Sequence, residues 1–235
     1  MVLLNLFYGG QSMSVNQKIY NILCVLFSLL LVIGNLTYQK FIILNIPFVH
    51  TFEISVGAIL YPLLFLISDL IAEFFGKDYA KFCLKLAIMM NVIIALIIGL
   101  MDYLPATDWS RINNETFHHV FGVFGISFLG SMLACYASQT IDIGLYLTIK
   151  RLTGDRWIWM RNNLSTAISL MIDTIAVLSF LAVFNVCPKE HLLDLIVNSY
   201  LWKLFFSISS TPIFYLMIGI IRYLRTDKSW EYQIS

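Results

Sequence analysis

Apolar residues fill the chain in runs of about 20, the length that carries a helix across a hydrocarbon core of about 30 Å. Six such runs stand out, at 19–37, 54–75, 82–101, 120–149, 163–186 and 195–221. Each predicts a transmembrane helix, so the expected fold is an all-α membrane protein, a bundle of six transmembrane helices. Between the first two runs, KFIILNIPFVHTFE alternates apolar and polar positions and contains Pro47, which predicts an extended or re-entrant piece. Such backbone has to be covered by protein or face water. The 102–118 loop is polar, with Trp109 at interface depth and a turn demanded by Pro105. It reads as a lid or a solvated connection, the second being the plainer reading.

Composition agrees with a membrane setting. Hydrophobic residues make up 59% of the chain and charged ones 12%, which sets it apart from soluble domains of this length. Net charge is only +1, so nucleic acid is not an expected partner. The placement of the cations is more useful than their sum. If the six spans alternate, one side collects Lys18, Lys77, Lys81, Lys85, Lys150, Arg151, Arg156, Arg161, Arg222, Arg225 and Lys228. The other side holds Lys40, Arg111 and Lys189. Lys and Arg favour cytoplasmic loops, which places both termini in the cytoplasm. The expected layout is a cytoplasmic segment over 1–18, a transmembrane domain over 19–224 and a cytoplasmic tail over 225–235. The opening MVLLNLFYGGQSMS has no basic start and no small-x-small cleavage site follows, so a removable signal peptide is not expected. Cys24, Cys83, Cys135 and Cys187 lack CxxC spacing and read as small apolar fillers, with no metal site or cofactor expected.

Polar groups inside the spans carry the candidate chemistry. YPLLFLISDLIAEFFGK sets Asp69 and Glu73 four residues apart on one helix face. An acid near the middle of a spanning helix costs about 2.5–3.5 kcal/mol on insertion scales, so it faces a cavity, a partner or a substrate. For Glu73 the plain alternative is an interfacial pair with Lys77, one turn on. In the fourth run Gln139 and Asp142 share a face beside Ser138, either for a ligand or for a helix–helix hydrogen bond. The fifth run passes from Trp157, Trp159 and Arg161, read as interface anchors, through Asn162, Asn163, Ser165 and Thr166 to Asp173. Lys203, the single deep cation, either neutralises a buried Asp, reads a substrate group or snorkels to the outer interface beside Trp202, the last being preferred. Enzyme signatures are weak: Gly125-Ile126-Ser127-Phe128 is half of a rhomboid-type GxSG, and HExxH and GxGD are missing.

LYPLLFLISDLIAEFFGKDYAK and SQTIDIGLYLTIKRLTGDRWIWMRNNLSTAISLMIDTIAV closely resemble the queuosine precursor transporters, a branch of the bacterial vitamin-uptake type of membrane protein. That family's P-x-x-F-x-x-[TS]-D-x-x-[AT]-E-x-[YF]-G run falls on Pro62, Phe65, Ser68, Asp69, Glu73 and Gly76. Its S-Q-x-x-D run falls on Ser138, Gln139 and Asp142, and its W-x-R-N-x-x-S-T run on Trp159, Arg161, Asn162, Ser165 and Thr166, followed by Asp173. Asn35 and Lys40 match an early N-x-x-x-x-K, so the likeness covers about 35–180. The resemblance implies import of 7-cyano- or 7-aminomethyl-7-deazaguanine, or queuine, across the bacterial inner membrane for salvage into tRNA queuosine. One carboxylate can accept the paired N–H and amino donors of a guanine-like edge, an amide such as Gln139 or Asn162 can donate to the ring carbonyl, and Phe65 or Tyr61 can stack on the ring. The expected substrate-binding set is therefore Asp69, Glu73, Gln139, Asp142, Asn162, Asp173, Asn35 and Phe65. A self-sufficient carrier is preferred. The alternatives are a substrate-binding subunit of an ATP-driven system, weakened by the lack of alanine in the first run, and an assembly protein without substrate.

Overall fold

The computed structural model describes residues 13–38, 40–47, 50–122, 124–154, 156–183 and 189–226. The expectations for most of the N-terminal segment and tail, and for Cys187, lie outside the described residues. Helix α1 spans Val15–Thr37 and begins with a capping box, in which Ser14 Oγ accepts from Gln17 N–H while Gln17 Oε1 accepts from Ser14 N–H. Strands β1 (Phe41–Ile46) and β2 (His50–Ser55) form an antiparallel hairpin around Pro47, followed by a 3-10 turn, Val56–Ala58. Helices α2 (Tyr61–Phe75) and α3 (Lys77–Tyr103) come next, then a single turn α4 (Asn114–Phe117). Helices α5 (Phe124–Thr153), α6 (Ile158–Val183), α7 (Leu192–Ser209) and α8 (Thr211–Thr226) complete the described chain.

Among the described residues, five segments are helical, long and apolar enough to cross a membrane: Val15–Thr37, Val56–Phe75, Lys77–Tyr103, Ile158–Val183 and Leu192–Ser209. This meets the six-span expectation in part. Helix α5 is the longest, at 30 residues, but its apolar character is diluted by Ser131, Ser138, Gln139 and Asp142. The run at 195–221 is not one helix. It breaks at Ser210, just before Pro212, whose ring and missing N–H oppose a continuous helical ladder. The all-α expectation also needs correcting: the alternating stretch folds as a hairpin. Phe52 and Ile54 of β2 are buried, and Phe52 meets Trp202 of α7 edge-on with ring centroids 5.5 Å apart. The 102–118 region is a tied connection, held where Asp102 meets His118 at 2.6 Å and where Asn114 Oδ1 accepts the Ala106 N–H at 2.7 Å. Trp109 in that loop is 85% exposed.

Two glycines fix how elements meet. Gly76, at φ 86°, separates α2 from α3 in a backbone conformation that side-chain-bearing residues rarely adopt. Gly57 lies against α1 so closely that a Cβ there would stand 2.2 Å from the Gly34 carbonyl oxygen and 3.0 Å from the Tyr38 Cα. Both obstacles are backbone and cannot swing aside. Gly57→Ala is therefore expected to lower the yield of monodisperse protein and its melting temperature in detergent, whereas Gly99→Ala, which meets nothing within 4 Å, is expected to leave both unchanged.

The main core packs Leu23, Phe27 and Leu31 of α1 against Leu64, Leu70 and Ile71 of α2 and Ala80, Leu84 and Ala87 of α3. Cys24, Cys83 and Cys135 are buried and free, as their reading as apolar fillers expects. The outward faces of α1, α3 and α6 carry exposed Ile22, Val25, Leu96, Leu100, Met171 and Ile175, apolar surface of the kind a bilayer covers.

Candidate functional site

Helices α2, α5 and α6 present facing polar stripes. On α2 the stripe is Tyr61, Phe65, Asp69 and Glu73, one residue per turn. On α5 it includes Ser138, Asp142, Tyr146 and Lys150, and on α6, running the opposite way, Asp173, Ser169, Ser165 and Arg161. Steps of four residues, about 6 Å along each axis, bring these groups into three successive tiers.

The first tier lies toward the hairpin end. Asp173 accepts from Tyr61 OH at 2.7 Å and from Ser138 Oγ at 3.1 Å, both on Oδ1, while Lys203 Nζ reaches its Oδ2 at 2.9 Å. Lys203 also donates to Thr174 Oγ1 at 3.1 Å and sits 4.5 Å from the centre of the Tyr61 ring. Lys203 thus turns inward with 6% exposure, which corrects the snorkelling expectation. Asp173 and Thr174 supply the partners without which a charge turned into the bundle is costly. Asp173, Lys203 and Tyr61 line an open cavity, together with Asn35, Tyr38 and Ser131. Asn35 is tied at its rim, donating to Asn91 Oδ1 and accepting from Ser131 Oγ, both at 3.1 Å.

The second tier, one turn deeper on α5 and α6, is closed. Asp69, Gln139 and Asp142 are each 0% exposed, and Asn162 is buried. Ser169 Oγ donates to Asp142 Oδ1 at 2.8 Å. Among the described residues, both oxygens of Asp69, both side-chain polar atoms of Gln139, Asp142 Oδ2 and Asn162 Oδ1 have no hydrogen-bond partner. Leaving one buried polar group unpaired costs about 1–3 kcal/mol, and more for a charged one, so this concentration of unsatisfied groups is costly. Phe65, also fully buried, lies between the two tiers with its ring 5.9 Å from that of Tyr61.

The third tier closes the opposite, basic end. Arg161 donates from Nη2 to Glu73 Oε1 at 2.7 Å, from Nη1 to the Gly154 carbonyl at 2.8 Å and from Nε to Tyr146 OH at 3.3 Å. Glu73 Oε2 further accepts from Tyr146 OH at 2.9 Å and pairs with Lys150 Nζ at 3.0 Å. Glu73 therefore has three partners, and Lys77 is not among them. Gly76 ends the helix between the two residues, so the four-residue spacing does not bring them onto one face. Arg161, read from sequence as an interface anchor, is instead 0% exposed. Trp157 and Trp159 remain exposed, as anchors should be. Asn163 donates to the Trp159 carbonyl and to Thr211 Oγ1, joining α6 to α8.

The eight sequence-selected residues thus separate into three groups. Asn35 and Asp173 border the cavity; Asp69, Gln139, Asp142, Asn162 and Phe65 are buried away from it; Glu73 sits in the ionic knot. Sequence reasoning missed Tyr146, Lys150 and Ser169 as partners. Their signal was present in the four-residue spacing that continues the Asp142 and Asp173 stripes.

Comparison with known proteins accords with this arrangement. Residues 55–217 match the model of a family described as "Putative vitamin uptake transporter". Among curated proteins, the "Probable queuosine precursor transporter" of Bacillus subtilis (strain 168) is 29% identical over 178 residues, covering 73% of this chain and 76% of the relative. No solved structure gives a significant match. The family match takes in most of the chain, including all three tiers, and the chain belongs to the vitamin uptake transporter family.

Proposed function

We propose that the chain is a self-sufficient carrier that imports 7-deazaguanine precursors of queuosine, either 7-cyano- or 7-aminomethyl-7-deazaguanine or queuine, across the bacterial inner membrane. The observation that carries this reading is the closed tier of Asp69, Gln139, Asp142 and Asn162, whose unsatisfied groups complement a guanine-like edge. A carboxylate of Asp69 accepts the ring N–H and the amino group as a charge-assisted pair, Gln139 or Asn162 donates to the ring carbonyl, and Phe65 covers the ring face. Asn35 and Asp173 border the entry cavity, and Glu73 closes the far end. The likeness to the Bacillus subtilis "Probable queuosine precursor transporter" supports the same substrate class.

With the basic end in the cytoplasm, the cavity faces outward and the Glu73–Arg161–Lys150 knot is the inner closure. Import then requires Tyr61, Asp173 and Lys203 to part first and the knot to part afterwards, an alternating-access cycle about a fixed central site.

The test is complementation. The chain is expressed in bacteria that retain the salvage enzymes but neither make nor import these precursors, each compound is supplied, and queuosine is measured in tRNA. Queuosine is expected to appear with at least one precursor at external concentrations that fail without the chain. Its absence with all of them, despite normal amounts of the chain in the membrane, overturns the reading.

A further inference from the structure

The buried charges of the three tiers do not balance. Among the described residues three acids, Asp69, Asp142 and Asp173, and two cations, Arg161 and Lys203, are buried, and the part-buried pair Glu73 and Lys150 extends the set to four acids against three cations. The cations are all committed elsewhere. Arg161 and Lys150 hold Glu73, and Lys203 holds Asp173, so among the described residues no ion pair reaches Asp69 or Asp142. Yet these two acids each lie one turn before a bonded pair, Glu73 and Tyr146 at 2.9 Å, so their carboxyl groups stand at one level of the α2–α5 contact with oxygens left unpaired. As two carboxylates, neither offers the other a donor, and two like charges at 0% exposure would repel in a medium of low dielectric.

The surroundings offer no other remedy. On α2, Glu73 stands one turn on from Asp69 and is itself an acid. On α6, Arg161 is bound to Glu73, while Ser169 gives Asp142 only a neutral hydroxyl. On α5, Tyr146 donates to Glu73, and on α7, Lys203 is bound to Asp173. The buried polar residues of α1 and α3 are the amides Asn35 and Asn91.

We infer that Asp69 and Asp142 together form a proton-binding site, holding one shared proton in the substrate-free protein, and that a cationic substrate takes that proton's place. Bound between the two oxygens, the proton brings the buried set to four negative and four positive charges. An aminomethyl substrate brings its own positive charge, so its entry releases the proton to solvent and both carboxylates remain ionised. A neutral cyano substrate brings none, so the proton stays on one carboxyl while the other accepts the guanine-like edge. The exchange half of this inference rests on the precursor-carrier reading; the proton site itself does not.

The full chain, purified in detergent at neutral pH, is examined by infrared spectroscopy for the carbonyl stretch of a protonated carboxylic acid that shifts in deuterated solvent. Wild type is expected to show one such buried band. Asp69→Asn and Asp142→Asn are each expected to abolish it, because either change leaves three acids against three cations. Size-exclusion elution at the wild-type position establishes that the variants are folded. No band in wild type overturns the proton site without reference to any variant, as does a band that survives in both variants. Proton release is then measured with a pH indicator in weak buffer. About one proton per molecule is expected on binding 7-aminomethyl-7-deazaguanine and close to none on binding 7-cyano-7-deazaguanine. Equal release with both overturns the exchange. If neither compound binds while the band behaves as expected, the precursor reading fails and the proton site stands.

Discussion

Asp69→Asn is expected to abolish uptake of every 7-deazaguanine precursor while the protein accumulates in the membrane at its normal level. The substitution keeps the shape of the side chain but replaces one acceptor oxygen by a donor NH2, so the paired contact with the ring N–H and the amino group cannot form. Two charge-assisted hydrogen bonds are at stake. Their loss, at about 1.5–3 kcal/mol each, predicts a fall in affinity of at least roughly a hundredfold. The same asparagine removes a buried acid from a tier that has one too many, so folding is not expected to suffer. Isotope-labelled precursor uptake, normalised to membrane abundance on an immunoblot, reads both quantities at once. Normal uptake would remove Asp69 from the binding set; loss of uptake together with loss of protein would return it to a structural role. A 7-deaza analogue without the exocyclic amino group gives the complementary result, since it should discriminate poorly between wild type and variant.

Glu73→Ala has the opposite signature, with loss of the protein itself. Arg161 is 0% exposed and gives Glu73 its shortest bond, so alanine strands a guanidinium inside the bundle with only Tyr146 and Gly154 as partners. Breaking a buried pair by removing one partner costs about 3–5 kcal/mol, a large share of the stability of an ordinary domain. The expected result is a marked drop in folded yield and in melting temperature in detergent. Removing both charges, as Glu73→Gln with Arg161→Met, is expected to recover much of the loss, because a buried pair is worth far less than the penalty of leaving one member alone. A double-mutant cycle on melting temperature checks this directly. If the two single variants and the double variant lose stability additively, the knot is not a coupled unit.

Much of this architecture is written in local patterns. Alternation around Pro47 announced the extended hairpin, and long apolar runs announced most of the spans. The four-residue stripe Tyr61, Phe65, Asp69 and Glu73 was legible because one helix face repeats every turn. Pairings between helices were not. Glu73 and Lys77 have the spacing of partners, but Gly76 ends the helix between them, and the cation that wins comes from a residue 88 positions away. Lys203 was read as outward because its stem is long enough to reach an interface, and nothing local reveals that Asp173 waits on a neighbouring helix. Arg161 looked like an anchor for the same reason. Its true surroundings depend on where Glu73 and Tyr146 project, which is tertiary information. The break at Ser210 was a milder failure, since Pro212 stood in plain view inside an apolar run whose length concealed it.

The three tiers also decide which parts of the molecule can travel. Helices α5 and α6 are riveted together at three heights, by Ser138 to Asp173, Ser169 to Asp142 and Arg161 to Tyr146. In the carrier proposed above, a pair fastened at these three heights is the part that stays whole. Among the described residues, the hydrogen bonds that join α2 to that pair lie near its two ends, through Tyr61 and through Glu73. In that carrier, undoing one latch at a time tips α2 about the other.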